Sequence, residues 1–340
     1  MDIREKGYRT VTNFIGVSLL IFLVIFNVTN VAATLVSDFL KELFPYDIAY
    51  SIEQTLLIVS YLSSFVIPAI ILRVMLARRG ISQDMRLYFN MSAIDYLLIP
   101  AGIMLTFSAS YLNSILLSWL DISDIYSSLI NAEQAYYAPY QIVLLVVSTA
   151  LVPAFCEEFF FRGTILSSLL PYGQGVAIIG SAILFGLMHQ NPYQLLYATV
   201  AGILLGFVYV KTRSIWCGTI IHFLNNSFSV IEQIIYTNCE ESFANVLIPI
   251  IDVSMIAIGF ISLALYFIFD GRRQKRKFRD GSFGVLVEKG EAYEQIAISP
   301  SRKLKSFFAP WMIVAVVVLA VSVVSTLFML IFVSGIGAVI

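Results

Sequence analysis

Residues 311–336 read WMIVAVVVLAVSVVSTLFMLIFVSGI and contain no ionisable side chain. About 20 apolar residues are enough for a helix to cross the roughly 30 Å hydrocarbon core of a bilayer. Further apolar segments lie at 11–35, 52–76, 95–120, 140–170, 174–190, 193–210, 215–237 and 244–270. The sequence therefore predicts an all-α, polytopic membrane helix bundle with about nine transmembrane helices.

The composition of the 340-residue chain also favours a membrane over an aqueous environment. Hydrophobic residues make up 59% and charged residues 13%, against about 45–50% and about 25% in soluble domains. The lipid bilayer is therefore the first partner to expect. The formal net charge of −1 gives no reason to expect a nucleic-acid partner. Three cysteines are too few and too scattered for a disulfide framework.

The basic residues predict how the chain is oriented. All but two of the 21 lysines and arginines fall on one side of a nine-span layout, the exceptions being Lys41 and Arg162. Because cytoplasmic loops carry the excess of positive charge, we expect a multi-pass protein of the cell membrane with a cytoplasmic N-terminus and an external C-terminus. The expected units are N-terminal spans at 1–139, a core at 140–237, and C-terminal spans at 238–340 with a basic cytoplasmic loop at 271–310.

Polar residues inside the predicted spans are concentrated in one part of the chain. Ionisable side chains are costly in a bilayer, so they are functional candidates by default. Both histidines of the chain lie in these segments. The candidates are Glu157, Glu158 and Arg162 in the fourth span, His189 in the fifth, and His222 and Asn226 in the seventh.

Helical spacing relates these candidates to one another. Glu158 and Arg162 are four residues apart and share a helix face, which predicts an ion pair. Glu157 points about 100° away from Glu158 and is left free. A rise of about 1.5 Å per residue puts Glu157, His189 and Asn226 at a similar depth, with the remaining histidine one turn lower.

A carboxylate and two imidazoles in neighbouring spans favour a hydrolytic site. A carboxylate shielded from water can take a proton from a water molecule as a general base. Imidazole and carboxamide groups can donate hydrogen bonds to a developing oxyanion. Glu157, His189 and His222 are also a set that could bind zinc with water in the open position. The residue types leave both alternatives open, so no cofactor is assigned beyond this zinc option.

The remaining polar residues and the one proline near the candidates have structural interpretations. Pro153 lies one turn before Glu157 and removes the helical hydrogen bond to the carbonyl of Thr149, so we expect a kink there. Glu232 and Asp252 fall near the outer ends of their spans and are interpreted as partly solvated.

Small residues recur at four-residue spacing in two of the spans. These residues let helices approach closely in a membrane. They predict tight packing of the fifth span on the sixth, through Ala182, Gly186, Ala198, Gly202 and Gly206.

Three motifs in order resemble those of one family. Glu157-Glu158-x-x-x-Arg162 is followed by Phe185-x-x-x-His189 and then by His222-x-x-x-Asn226. The pattern covers about residues 140–232 and resembles the CPBP family of CAAX proteases and bacteriocin-processing enzymes, also called the ABI family. The resemblance implies a CAAX-protease-like helical core and a hydrolase activity, namely an intramembrane endopeptidase acting on a membrane protein or peptide.

The resemblance also implies roles, carried over by motif position. Glu157 would be the base that activates water, and His189 would help to hold that water. His222 and Asn226 would form the oxyanion site. The family has been described both as metal-dependent and as glutamate-dependent, so the zinc option stays open at this point.

Glu158 and Arg162 would support the site under the same resemblance.

Two other classes of function are alternatives to the protease. The first is a non-catalytic membrane scaffold or bacteriocin self-immunity protein that keeps the motif for packing. The second, which ranks last, is a transporter with a proton-relay carboxylate, because no paired halves with broken helices are apparent.

Overall fold

The computed structural model describes residues 3–81, 83–89, 91–119, 137–279 and 298–337. Within these ranges the chain is largely helical and contains no β-strand. The prediction of an all-α polytopic membrane protein is confirmed, because most of these helices are long and apolar.

The described ranges contain helices from near the start of the chain to residue 337. In chain order, α1 is Ile3–Leu43, α2 is Tyr46–Ala77, α3 is Leu98–Trp119, α4 is Pro139–Tyr172 and α5 is Gln174–Met188. The chain continues with α6 at Pro192–Thr212, α7 at Ile215–Asn238, α8 at Glu241–Arg279, α9 at Pro300–Phe307 and α10 at Pro310–Gly337.

Seven of the described helices are long and apolar enough to cross a membrane, namely α1, α2, α3, α4, α6, α8 and α10. α5 is apolar but has 15 residues, about 22 Å of helix against a hydrocarbon core of about 30 Å. α7 has 24 residues, but polar side chains such as His222 and Asn226 lower its hydropathy. The predicted count of nine spans is therefore approximate, although each predicted segment coincides with a helix.

Local sequence signals explain where the helices around the candidate residues begin. Proline occupies the first position of α4 and α6, where its missing N–H costs no helical hydrogen bond. The Asn191 side chain accepts a hydrogen bond from the Tyr193 amide at 3.0 Å. Ser214 accepts one from the Trp216 amide at 3.3 Å. These two N-caps allow α6 and α7 to begin within a few residues of the end of the preceding helix. The connections between α5, α6 and α7 are therefore short.

Glycines allow α5 and α6 to pack closely. A Cβ atom at Gly202 would lie 2.9 Å from the Cα of Ala182. A Cβ at Gly186 would lie 2.6 Å from the carbonyl oxygen of Leu195. Neither position has room for a larger side chain unless the helices separate, so the predicted packing role is confirmed at these residues.

Buried aromatic rings hold α4 between its neighbours. Phe160 is fully buried and lies 6.3 Å from the ring of Phe22 in α1 and 6.1 Å from that of Phe65 in α2. Phe161 packs edge-on against Phe185 of α5 at 5.1 Å. α7 contacts α4 as well. The segment of α4 that carries both glutamates is therefore packed against other helices.

The predicted basic loop at 271–310 contains helical residues near both ends. α8 continues to Arg279, so most of the basic cluster after residue 271 lies on helix. α9 lies just before α10 and carries Arg302, Lys303 and Lys305. Residues 280–297 of this loop lie outside the described ranges.

Candidate active site

Two π-helical segments flank the part of α4 that carries the acidic candidates. They span Val147–Leu151 and Phe161–Leu166, and Val152–Phe160 between them is α-helical. π-helical insertions inside α-helices are frequent at functional sites because they change the direction of side chains and backbone groups locally. The first segment ends just before Pro153, whose missing N–H prevents regular hydrogen bonding there.

Glu158 is the centre of a buried polar network. Arg162 donates to its Oε1 atom at 2.6 Å, and both side chains are almost completely buried. The Nδ1 atom of His222 lies 3.2 Å from the same oxygen. Arg162 also donates to the carbonyl of Gly202 at 3.3 Å. The i,i+4 ion pair expected from the sequence is present, and the same carboxylate also contacts the histidine of α7.

This network orients the imidazole of His222. A carboxylate paired with arginine accepts hydrogen bonds and does not donate them, so Nδ1 of His222 carries a proton. The other ring nitrogen, Nε2, then lies 3.7 Å from Oε2 of Glu157. Glu157 is 3% exposed, and its Oε2 atom has no hydrogen-bond partner among the described residues. Oε2 of Glu158 also has no hydrogen-bond partner among the described residues, but Glu158 is paired with Arg162 through Oε1. The two neighbouring glutamates therefore differ in that Glu157 has no arginine partner and lines the cavity.

His189 is oriented by the end of its own helix. It follows the last residue of α5, where backbone carbonyls lack helical partners. Its Nδ1 atom lies 2.8 Å from the carbonyl oxygen of Phe185. Because a carbonyl only accepts, Nδ1 is the donor, and Nε2 of the neutral ring remains an acceptor.

The Phe185 ring connects the two histidines and the arginine. It packs edge-on against His189 at 5.0 Å and against His222 at 6.0 Å. The guanidinium of Arg162 lies 4.6 Å from the centre of the same ring, within the range of a cation–π interaction. This phenylalanine belongs to the second sequence motif, but its spacing alone predicted no role for it.

Asn226 occupies a different place from the one that the depth estimate indicates. Its Nδ2 atom donates to the carbonyl of Thr149 at 3.4 Å, about two turns before Glu157 along α4. His222, placed one turn lower by the same estimate, lies beside Glu157. The estimate is wrong for these two residues because a fixed rise per residue ignores helix tilt.

One cavity of about 390 Å³ brings the predicted residues together. Glu157, His189, His222 and Asn226 all line it. Glu158 and Arg162 lie behind this lining, in the buried network. The lining further includes residues that the sequence analysis missed, because they are ordinary polar residues of predicted spans without a motif: Tyr61, Ser148, Gln194, Tyr197, Asn225 and Ser229.

The placement of the ligand candidates bears on whether zinc could bind here. Within the described ranges no three His, Cys, Asp or Glu side chains lie together as a group that could hold a metal ion. The three candidates are therefore not assembled into a three-ligand site in this arrangement, and no step below passes through a metal.

The chain is thus a polytopic, all-helical membrane protein with a polar cavity lined by a carboxylate, two imidazoles and carboxamides. Residues 139–228 match the model of a family described as type II CAAX prenyl endopeptidase, Rce1-like. The resemblance predicted from the three motifs is confirmed over this segment.

The chain is also similar to a curated protein of Bacillus subtilis (strain 168) that is described as "Putative membrane peptidase YdiL". The two are 30% identical over 92 residues, which are 27% of this chain and 38% of the relative. The chain thus matches well under half the length of that relative. No solved structure matches this chain.

Proposed function

We propose that the chain is an intramembrane endopeptidase that hydrolyses a peptide bond of a membrane-associated protein or peptide. One observation carries this proposal: a buried carboxylate oxygen of Glu157 without a hydrogen-bond partner faces Nε2 of His222 at 3.7 Å in a polar cavity. The match of residues 139–228 to Rce1-like endopeptidases and the similarity to a protein named as a membrane peptidase support intramembrane protease activity.

The proposed reaction begins with a water molecule between Glu157 and His189. Glu157 takes a proton from this water, and the Nε2 atom of His189 accepts a hydrogen bond that holds the remaining hydroxide in place. The oxygen then attacks the carbonyl carbon of the peptide bond. A C–O bond forms, and the electron pair of the carbonyl π bond moves to its oxygen.

His222 and Asn226 are proposed to stabilise that oxyanion. When His222 carries protons on both ring nitrogens, Nε2 can donate a hydrogen bond into the cavity while Nδ1 donates to Glu158. Asn226 uses one amide hydrogen for the carbonyl of Thr149 and has a second one available. Donors held in place in this way are worth about 3–4 kcal/mol each in hydrolytic enzymes.

Collapse of the intermediate completes the reaction. The C–N bond breaks as Glu157 returns its proton to the leaving nitrogen, which regenerates the carboxylate. Glu158 and Arg162 do not touch the reacting atoms in this scheme. They position the His222 ring by fixing the proton on Nδ1.

The setting of this reaction is also part of the proposal. The core at 140–237 supplies the candidate catalytic residues, and the spans at 1–139 and 238–340 accompany it in a multi-pass protein of the cell membrane. The N-terminus lies in the cytoplasm and the C-terminus outside. The partners are the bilayer and a protein or peptide substrate within it or at its surface.

The test compares cells that carry the wild type with cells that carry Glu157→Gln at matched abundance. Membrane and secreted peptides are profiled by mass spectrometry for new chain termini. Because the amide cannot act as a base, products of the wild type should disappear in the variant.

A matched control for this test is Glu53→Gln, which changes a half-buried glutamate of α2 that pairs with Lys41 outside the cavity and should leave the products unchanged. Identical profiles for wild type and Glu157→Gln, under conditions in which loss of the protein has a phenotype, would overturn the proposal in favour of a non-catalytic scaffold.

A further inference from the structure

A second polar cavity adjoins the candidate active site. It has a volume of about 220 Å³ and shares Tyr197, Asn225 and Ser229 with the first cavity. α3, α7 and α8 contribute its other lining residues, among them Tyr111, Glu232 and Asp252. Because the two cavities have lining residues in common, a chain bound in the first can place a side chain in the second.

The second cavity contains a buried carboxylate that is only partly satisfied. Asp252 is 6% exposed, so its interpretation as a partly solvated residue is wrong. Its Oδ2 atom accepts a hydrogen bond from the hydroxyl of Tyr111. Its Oδ1 atom is buried and has no hydrogen-bond partner among the described residues. Such an oxygen is costly in a membrane helix unless a donor or a cation satisfies it.

A second acid faces the same space without a basic partner. Glu232 of α7 is half-buried and lines the cavity together with Asp252. The described residues that line this cavity include no lysine, arginine or histidine. They also offer no third ligand that would make a metal site with the two acids. Two carboxylates with hydroxyl neighbours and no cation of their own favour an organic cation such as an ammonium or guanidinium group.

Polar residues on one face of α7 connect this pair of acids to the proposed catalytic groups. His222, Asn225, Ser229 and Glu232 are spaced by three, four and three residues, so they share a face of the helix. From His222 to Glu232 is about 15 Å along the helix axis. An extended peptide covers that distance in about four or five residues.

We propose that the second cavity is a specificity subsite that binds a lysine or arginine side chain of the peptide substrate, within about five residues of the scissile bond. This inference rests on the proposed endopeptidase activity. The basic side chain would extend between Asp252 and Glu232, with Oδ1 of Asp252 as its acceptor. The substrate class is then a membrane-associated peptide segment with a basic residue on one side of the cleavage site.

The test uses a synthetic library of apolar peptides, in which each position near the centre carries lysine, arginine, norleucine or glutamine. The purified full-length protein in lipid nanodiscs cleaves the library, and mass spectrometry identifies the new termini. Cleavage that Glu157→Gln abolishes defines the enzymatic products. Those products should be enriched at least tenfold in lysine or arginine at one position near the cut. The double variant Asp252→Asn/Glu232→Gln should reduce this enrichment to about onefold.

Glu240→Gln/Glu241→Gln is the matched control, because it removes two exposed carboxylates that line neither cavity. This control should keep both the cleavage and the enrichment. Loss of all cleavage in Asp252→Asn/Glu232→Gln, with normal cleavage in the control, would also support a need for the two charges of the second cavity. Wild-type cleavage without basic enrichment, or enrichment that survives in the double variant, would overturn the subsite while leaving the endopeptidase intact. No cleavage sensitive to Glu157→Gln would overturn both.

Discussion

Asn226 of α7 donates a hydrogen bond to the backbone carbonyl of Thr149 in α4, the carbonyl that lies four residues before Pro153. A regular helix would satisfy that carbonyl with the amide of residue 153, and proline has none. The side chain of one helix therefore uses a backbone acceptor that proline leaves available in another. This contact fixes the carboxamide at the wall of the cavity.

Pro153→Ala should separate stability from activity. The new amide can bond to the carbonyl of Thr149, so thermal stability should stay the same or rise, since an interior proline costs a helix about 3 kcal/mol. Asn226 then loses its acceptor and its orientation, and proteolysis should fall about tenfold, which is about 1.4 kcal/mol of transition-state stabilisation. The measurements are the midpoint of thermal unfolding and the cleavage rate.

A matched control for the proline exchange is Pro249→Ala, since Pro249 also lies inside a helix, α8, and lines neither cavity. Its cleavage rate should stay at the wild-type level. Equal rates for Pro153→Ala and the wild type would show that Asn226 needs no anchoring.

The two neighbouring glutamates should respond differently to the same substitution. Glu158→Gln leaves Arg162 buried with a neutral partner, and breaking a buried ion pair costs about 3–5 kcal/mol, so abundance and thermal stability should fall. Glu157→Gln removes no ion pair with arginine and should change stability by about 1 kcal/mol or less, while it abolishes cleavage. Both variants are compared by thermal unfolding in detergent and by the peptide assay.

A reversal of these effects would contradict the division of roles between the two side chains. In particular, a stable and active Glu158→Gln protein would show that neither the Arg162 pair nor the orientation of His222 matters.

Gly218 should tolerate no side chain, because it lies directly against the buried carboxylate of Glu158. A Cβ atom there would lie 3.0 Å from Oε2 of Glu158. Gly218→Ala should therefore displace Glu158, lower stability by about 1–3 kcal/mol and reduce cleavage. Gly175→Ala in α5 is the control, because a Cβ there meets nothing within 4 Å, and it should be neutral or slightly stabilising. A fully stable and active Gly218→Ala protein would show that the glutamate can move freely.

Proteolysis should survive chelation. Glu157, His189 and His222 do not form a three-ligand group in the described structure, and the proposed mechanism uses water activated by a carboxylate. Dialysis against EDTA or 1,10-phenanthroline should leave the cleavage rate unchanged within a factor of about two, a difference of about 0.4 kcal/mol. Loss of activity that added Zn²⁺ restores would instead establish metal dependence.

The orientation in the membrane can be tested with one native cysteine. Cys239 is exposed at the connection between α7 and α8, whereas Cys156 and Cys217 are buried. With a cytoplasmic N-terminus, Cys239 lies outside, so a membrane-impermeant maleimide should label intact cells. Cys239→Ser should abolish the labelling. Labelling that requires permeabilised cells would reverse the predicted topology.

Helical spacing was sufficient for contacts within one element. The pairing of Glu158 with Arg162 follows from four-residue spacing on α4, and the structure has it at 2.6 Å. Depth arithmetic was less successful between elements, since it put Asn226 level with Glu157 and His222 one turn lower. Helix tilt moves such levels by several ångströms, and no local pattern of sequence specifies it.

The acid of α8 shows a different limit. Asp252 looked solvated because it lies near the end of a predicted span, yet it is 6% exposed and accepts a hydrogen bond from Tyr111. Its partner lies 141 positions earlier in the chain. Burial of this kind depends on which helices pack side by side. The sequence of one span alone therefore does not predict whether Asp252 is buried.

Apolar length, charge and residue spacing were enough to predict the membrane environment, the helical class and the set of polar residues inside the spans. These properties act within each helix and do not depend on the other helices. The contact of Glu158 with His222, the position of Glu157 beside Nε2 of His222, and the second acidic cavity next to the first are properties of the assembled helices. These features lie where α3, α4, α7 and α8 pack against one another, and that packing brings together segments that are distant in the sequence.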